Sequence, residues 1–211
     1  MIKHGCLAAA ATVALATAAS AATITNGSFE TNGGVPNGQF TTLGTGDSSI
    51  AGWTVGSGSI DLIEDYWQAS DGSFSLDLAG NASGSIFTTI NDLRAGREYV
   101  ISFDASGNPD NGPTTKMTTI AVGLGGDTVY VYDTAANGNT RADMNWQTQT
   151  FRFTAEADGS AVLSFQNQTA GPFGFALDNV SIAAVPLPAA GLLLLGGLGG
   201  LAAIRRRRKA A

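Results

Sequence analysis

The chain has 211 residues, of which 44% are hydrophobic and 13% are charged, and its formal net charge is −6. All 17 acidic residues but only five of the 11 basic residues lie between positions 23 and 184, so this segment has a net charge of −12 and is not expected to bind nucleic acid. The one histidine and the one cysteine, His4 and Cys6, precede it, which excludes Ser-His-Asp and Cys-His catalysis, the usual zinc sites and a disulfide within it.

The first 22 residues have the features of a signal peptide. A short segment containing Lys3 precedes a small apolar core at 6–19, and Ala19-Ser20-Ala21-Ala22 is a cleavage site of the A-x-A type. We therefore expect export and removal of residues 1–22 by signal peptidase. Only five residues precede Cys6, so it is interpreted as an apolar member of this peptide and not as a lipoprotein cysteine.

Residues 23–184 are predicted to form one all-β domain, an antiparallel β-sandwich of jelly-roll type. Segments with a period of two residues recur between turn signals such as Asp71-Gly72 and Asp158-Gly159, and no segment has the pattern of an amphipathic helix. We expect about nine strands, including residues 59–63, 73–78, 99–103, 118–122, 128–132, 149–154, 161–165 and 175–182. Residues 33–49 are predicted to be a long loop, and residues 108–113 a connection between strands.

Three short motifs in this segment carry a family resemblance. Asn-Gly-Ser-Phe-Glu at 26–30 opens the domain, Gly52-Trp53 and residues 71–78 with Gly84 follow, and Leu-Asp-Asn-Val-Ser-Ile at 177–182 closes it. Taken together and in this order, they resemble the choice-of-anchor C family, relatives of a plant cell-wall domain family with galactose-binding-like jelly rolls. The resemblance implies an extracellular binding or matrix domain, with carbohydrate as the favoured ligand class.

The opening and closing motifs also suggest a metal. Strand alternation places Asp178 on the same side as Ala176 and Val180, where a carboxylate needs a metal, an arginine or a backbone N–H as its partner. Carbohydrate-binding modules of similar form often hold a structural Ca²⁺ between a glutamate near the first strand and an aspartate near the last. Glu30 and Asp178 match those positions, and their oxygens suit Ca²⁺. The alternative is that Asp178 caps a loop and Glu30 is simply exposed.

The candidates for ligand contact are aromatic residues, because sugar rings stack on flat π surfaces. Tyr66 and Trp67 lie in a polar stretch between two predicted strands, where aromatic side chains often face ligands. Trp53 and Trp146 are further candidates, although such residues more often lie in a core or at its rim.

We therefore expect a non-catalytic module that binds extracellular polysaccharide. One alternative is a structural matrix protein without a discrete ligand, which the abundance of Gly, Ser, Thr and Asn favours. The other is a glycoside hydrolase, because Asp61, Glu64 and Asp65 cluster beside Tyr66. No carboxylate pair is singled out by spacing, so the hydrolase is the weaker alternative.

The C-terminal residues 185–211 have the order of a membrane stop signal. An uncharged run of 20 residues, 185–204, is about 30 Å long as a helix, which matches the hydrocarbon core of a bilayer. The cations that follow should stay cytoplasmic; they are Arg205, Arg206, Arg207, Arg208 and Lys209. By composition alone this is a single transmembrane anchor without processing.

The motif at the start of this tail points instead to processing. It consists of Val185, Pro186, Leu187, Pro188 and Ala189. The tail as a whole is similar to the VPLPA variety of PEP-CTERM sorting signals, which a membrane-embedded exosortase-type cysteine protease recognises. The resemblance implies an inner-membrane-anchored precursor that is cleaved near the motif and then reaches the cell surface or the extracellular space.

Overall fold

The computed structural model describes residues 21–36, 38–111, 114–123 and 126–186. The predicted signal peptide, apart from its last two residues, and the predicted sorting tail after Pro186 therefore lie outside the described residues. Eleven strands are described: Phe40–Gly44 (β1), Trp53–Ser57 (β2), Ser59–Ile63 (β3), Ser75–Asp77 (β4), Ser85–Leu93 (β5), Glu98–Gly107 (β6), Thr115–Val122 (β7), Thr128–Asp133 (β8), Gln147–Thr154 (β9), Gly159–Asn167 (β10) and Phe175–Ala184 (β11).

The strands form two antiparallel sheets that face each other. The six-stranded sheet has the order β1-β3-β4-β11-β6-β9, and the five-stranded sheet has the order β2-β5-β10-β7-β8. The chain passes repeatedly from one sheet to the other, as in a jelly roll. The prediction of an all-β antiparallel sandwich is confirmed. The described helices are one turn of α-helix at Thr134–Asn137 (α1) and a 3₁₀ turn at Pro109–Asn111. Among the described residues, no helix has the length and hydrophobicity that a membrane span requires.

Strand alternation explains which elements were predictable. In β9, Phe151 is buried and Arg152 is exposed, as its period of two residues predicts. β5 was missed because its pattern is inverted at the centre, where the polar Thr88 is buried and the apolar Phe87 is exposed. The prediction of a continuous loop over residues 33–49 is wrong, because β1 lies within it and pairs with β3 along its whole length.

A single large core lies between the sheets. Trp53 lies at the centre of this core and is 2% exposed. Its ring packs edge-on against that of Phe29, with ring centroids 5.2 Å apart. A smaller cluster of Ile63, Trp67, Met144 and Ala176 lies outside this core. Residues 21–186 contain both sheets and both clusters, so a chain of this length retains every described contact, and we expect it to fold on its own.

A bulge changes the predicted direction of one side chain. Asn179 has φ +50°, and the pairing of β11 with β6 shifts register between Asp178 and Ser181. The bulge turns Val180 into the core, whereas Asp178 pairs with Asp104 and reaches the loop at 70–71. The expectation that Asp178 and Val180 share a side is therefore wrong.

Candidate functional site

An exposed aromatic pair lies at the β1 edge of the six-stranded sheet. Phe40 begins β1 opposite Ile63, the last residue of β3, so it lies beside the loop that carries Tyr66. The two ring centroids are 5.1 Å apart with an interplanar angle of 70°. Phe40 is 40% exposed, which is unusual for a large apolar side chain and leaves much of its ring open to a ligand.

Two charged residues hold Tyr66 in place. The Arg141 Nε donates to Asp110 Oδ1 at 2.8 Å, and the Arg141 guanidinium lies 4.0 Å from the centroid of the Tyr66 ring. The Tyr66 hydroxyl donates to the other oxygen of Asp110. Burial alone would raise the pKa of Asp110, but the hydrogen bonds from Arg141 and Tyr66 outweigh it and lower that pKa. The carboxylate therefore stays ionised and locks both partners.

A cavity of about 190 Å³ lies beside the aromatic pair. Its described lining includes Asp61, Asn81 and Asp110 but no basic residue. Burial raises the pKa of Asp61, while the Thr42 hydroxyl, which donates to Asp61 Oδ1 at 2.6 Å, opposes the rise. An apolar ring face next to carboxylate and amide oxygens is the combination that recognises a ring-shaped ligand rich in hydroxyl groups.

A buried polar network supports this cavity from below. Asp77 is fully buried and accepts hydrogen bonds from the N–H groups of Ala79 and Gly174, at 2.9 and 3.0 Å, and from Asn108 Nδ2 at 2.8 Å. The buried Lys116 donates to the Phe173 carbonyl at 2.8 Å. The peptide between Phe173 and Gly174 is thus held from both ends, which fixes the loop that closes one side of the cavity.

The four aromatic residues predicted to bind a ligand have different environments. Tyr66 lines the cavity. Trp67 also lines the cavity but is only 4% exposed, and its indole N–H donates to Ser75 Oγ at 2.8 Å. Trp53 lies in the core, where its N–H donates to the Thr25 and Asn26 carbonyls. Trp146 is half-buried and donates to the Gln68 carbonyl at 2.9 Å, so it supports the loop that carries Tyr66.

Three residues of this site were missed from the sequence. Phe40 lies in a stretch interpreted as a loop, and Asp110 in a polar segment interpreted only as a connection. Arg141 is one of the five arginines and lysines between positions 23 and 184, and that scarcity was the one available signal. A basic residue in so acidic a segment has many carboxylates available to it, and Arg141 pairs with Asp110.

The predicted metal ligands both bind the loop that precedes β4. Glu30 Oε1 accepts from the N–H groups of Ser73 and Phe74 at 2.9 and 2.8 Å. Asp178 Oδ2 accepts from those of Ser70 and Asp71 at 2.8 and 3.0 Å. Burial raises the pKa of Asp178 to about 7, although these N–H donors lower it.

In this arrangement Glu30 and Asp178 each serve as a hydrogen-bond acceptor for backbone N–H groups of one loop. Backbone N–H groups donate to Glu30 Oε1 and to Asp178 Oδ2, whereas Ca²⁺ takes six to eight oxygen ligands. Within the described ranges no group of three or more His, Cys, Asp or Glu residues is placed to hold a metal ion. Calcium binding stays a prediction from the sequence, and the geometry supports the alternative in which Asp178 caps a loop.

A second, larger cavity of about 610 Å³ opens at one end of the sandwich. Phe151 and Phe153 line it, but their rings stack on each other with centroids 6.2 Å apart, and Phe153 also stacks on Tyr99. These ring faces are used in packing, and none of the residues predicted to form a site lines this cavity. The cavity at Tyr66 is therefore the better candidate site.

Comparisons with known proteins give matches over nearly the whole domain. The family model described as "Protein of unknown function (DUF642)" matches residues 22–183. Halomucin from Haloquadratum walsbyi is 30% identical over 162 residues, which is 75% of this chain and 2% of halomucin. The chain thus spans a very small part of that curated relative.

Comparison with solved structures gives matches of low sequence identity. A family 35 carbohydrate binding module from Clostridium thermocellum is 13% identical, with 67% of this chain and 97% of that chain covered and a TM-score of 0.46. The CBM22-1 xylan-binding domain of Paenibacillus barcinonensis Xyn10C is 16% identical, with 72% and 97% covered and a TM-score of 0.45.

Proposed function

The chain belongs to the DUF642 family, whose description assigns no function, and we propose that this member binds polysaccharide non-catalytically at the cavity beside Tyr66. The observation that carries the proposal is the pair of Phe40 and Tyr66, whose rings form one wall of a cavity lined by oxygen-bearing side chains. Arg141 occupies a face of Tyr66, so Phe40 is the stacking surface and Tyr66 is its support. Because the described lining is acidic and not basic, a neutral glycan is favoured over a polyuronate.

The same geometry argues against hydrolysis. Glycoside hydrolases generally need two carboxyl groups on opposite sides of the bond that breaks. Two carboxylates, Asp61 and Asp110, line the described cavity, but both oxygens of Asp110 are engaged by Arg141 and Tyr66. Asp61 is left without a second free carboxylate in the lining. We therefore expect no release of reducing sugar from any polysaccharide that the domain binds.

Truncating Phe40 tests the binding site. Phe40→Ala is expected to weaken binding of a neutral oligosaccharide by about tenfold or more, because the exposed ring face is lost, which corresponds to about 1.4 kcal/mol. The oligosaccharide would be chosen on a glycan array with the unchanged protein, and its affinity measured by isothermal titration calorimetry. The oligosaccharide should be short and carry one binding site, so that any self-association of the protein does not affect the measured affinity.

The chain supplies a matched control in Phe87. This phenylalanine is 38% exposed, against 40% for Phe40, but it lies on the other sheet. Phe87→Ala should leave the affinity unchanged. Equal affinity of the unchanged protein and Phe40→Ala, or the absence of any array signal, would contradict the proposal and favour a structural matrix role.

We also propose that the domain is exported by its N-terminal signal peptide and sorted by exosortase through its C-terminal tail. The sequence motifs support this, and the fold is compatible with it. The last strand ends at Ala184, and the Val185 N–H still donates to the Glu98 carbonyl at 2.9 Å, so the sorting motif directly follows the sheet. Protease access then requires little unfolding of the domain.

Mass spectrometry of the protein from its native host tests the sorting proposal. We expect a mature N-terminus close to Ala22 and a new C-terminus at or near residues 185–189. Recovery of peptides that contain Arg205–Lys209 from the mature surface protein would contradict cleavage and leave a permanent anchor.

A further inference from the structure

The outer face of the five-stranded sheet carries an unusual concentration of exposed apolar side chains. Five large hydrophobic residues are exposed among the described residues, and one of them, Phe40, belongs to the candidate site. The other four all lie on this outer face: Phe87, Val129, Val131 and Val162 are 38, 54, 59 and 49% exposed. Such a concentration on one face of a soluble domain indicates an interaction surface.

Strand register shows that these side chains belong to one continuous patch. On the central strand β10, Val162 lies opposite Thr89, and Ser164 lies between Phe87 and Ala121. On the far side, Val129 lies opposite Thr119 and Val131 opposite Met117. We call the patch formed by these nine residues the neutral face. It measures about 20 by 25 Å, which is about 500 Å².

Charge distinguishes the neutral face from the rest of the domain. All nine of its residues are uncharged, and the nearest acidic residues along β8 and its flank are Asp127, two residues before Val129, and Asp133, two residues after Val131. Residues 23–184 as a whole have 17 acidic and five basic residues. Two copies of so acidic a domain repel each other at most orientations, and the repulsion is smallest where the two neutral faces meet.

We propose that the neutral face binds the neutral face of a second copy, giving a two-fold symmetric dimer. Sheets that pack face to face through small and branched side chains are a standard arrangement, and a self-complementary patch closes such a dimer. A total of about 1,000 Å² is the size of a weak, specific interface. The patch has one aromatic residue and few hydrogen-bonding side chains, which makes it a poor sugar-binding surface.

The dimer would have a consequence for surface attachment. The cavity at Tyr66 lies on the outer side of the six-stranded sheet, opposite the neutral face. Two copies joined by their neutral faces therefore present their cavities in opposite directions, which suits the cross-linking of two polysaccharide chains. The dimer itself is argued from the neutral face and does not depend on what the cavity binds.

Sedimentation equilibrium of residues 21–186 tests the proposal. We expect a reversible monomer–dimer equilibrium, and Val131→Glu should raise the dimer dissociation constant at least tenfold because it buries an unpaired charge in an uncharged interface. Ser181→Glu adds the same charge to an exposed position of β11 in the other sheet and should have no effect. A protein that stays monomeric up to about 1 mM, or a dimer insensitive to Val131→Glu, overturns the proposal.

A cross-linking measurement identifies the face without a charge change. The only cysteine of the chain, Cys6, precedes residue 21, so Ser164→Cys creates a single thiol at the centre of the neutral face. A short bis-maleimide should cross-link it into covalent dimers, and Ser181→Cys should remain monomeric. Equal cross-linking of both variants would overturn the dimer. So would a monomeric protein in which Val131→Glu weakens glycan binding, because the neutral face would then bind glycan and not a second copy.

Discussion

Gly27→Ala is expected to lower the free energy of unfolding by about 3 kcal/mol or more. A β-carbon at this position would lie 1.8 Å from the carbonyl oxygen of Val180 and 2.8 Å from its carbonyl carbon. These are backbone atoms of a core strand, and the Val180 N–H also donates to the Gly27 carbonyl at 2.8 Å. The added methyl group would therefore meet backbone and not a movable side chain, so the segments that contain Gly27 and Val180 would have to move apart.

Gly44→Ala provides the matched control. Gly44 ends β1, does not need a positive φ, and has no heavy atom within 4 Å of the position that a β-carbon would take. Its replacement should change stability by less than about 1 kcal/mol. Urea denaturation of residues 21–186, followed by tryptophan fluorescence, compares the two variants. Equal midpoints would show that the Gly27 contact is not required for the fold.

The Gly27 contact also explains why the opening and closing motifs occur together. Gly27 belongs to the opening motif and Val180 to the closing one, and the bulge at Asn179 brings the Val180 N–H into position. The indole N–H of Trp53 binds the Thr25 and Asn26 carbonyls beside them, at 3.1 and 3.0 Å. The motifs that carry the family resemblance are thus mutual packing partners, and Trp53 contributes to the fold and not to ligand contact.

The amino-acid sequence predicts an element where one local rule determines its structure. Phe151 and Phe153 alternate with polar residues, so β9 was predictable from periodicity alone. β5 was not predictable in this way. Phe87 is exposed because it belongs to the neutral face, and Thr88 is buried where its hydroxyl donates to the Gly52 carbonyl at 2.6 Å. Both are tertiary facts that the local pattern of β5 does not contain.

The candidate site was partly predictable for the same reason. Tyr66 was found because it lies in a polar stretch between two strands. Trp67 has the same local surroundings, but its partner Ser75 lies on β4, and that contact buries it. Phe40, Asp110 and Arg141 come from three distant segments that only the sheet order and the loops bring together. Spacing along the chain carries no information on such a group.

Asp77→Asn is expected to remove a large part of the pH dependence of stability. Burial raises the pKa of Asp77 to about 8 from 3.8, although hydrogen bonds from Asn108, Ala79 and Gly174 oppose the rise. Between these two values the folded protein keeps a proton that the unfolded chain has lost. Unfolding then releases a proton, so stability is fully present below about pH 4 and falls as pH rises towards 8, by about 1.4 kcal/mol per pH unit at most.

The amide variant mimics the neutral acid, so its stability should not include this slope. Asp61 and Lys116 are the ionisable groups whose charges act on Asp77, and Asp178, with a pKa raised to about 7, adds a slope of the same sign. Since these groups remain in the variant, the quantity to compare is the difference in unfolding free energy between the two proteins from pH 4 to 9. Asp77→Asn should gain relative stability steadily up to about pH 8 and then level off, whereas Asp127→Asn, at an exposed position, should give a flat difference. A flat difference for Asp77→Asn as well would mean that its three hydrogen-bond donors keep the carboxylate ionised in the fold, and that burial does not dominate there.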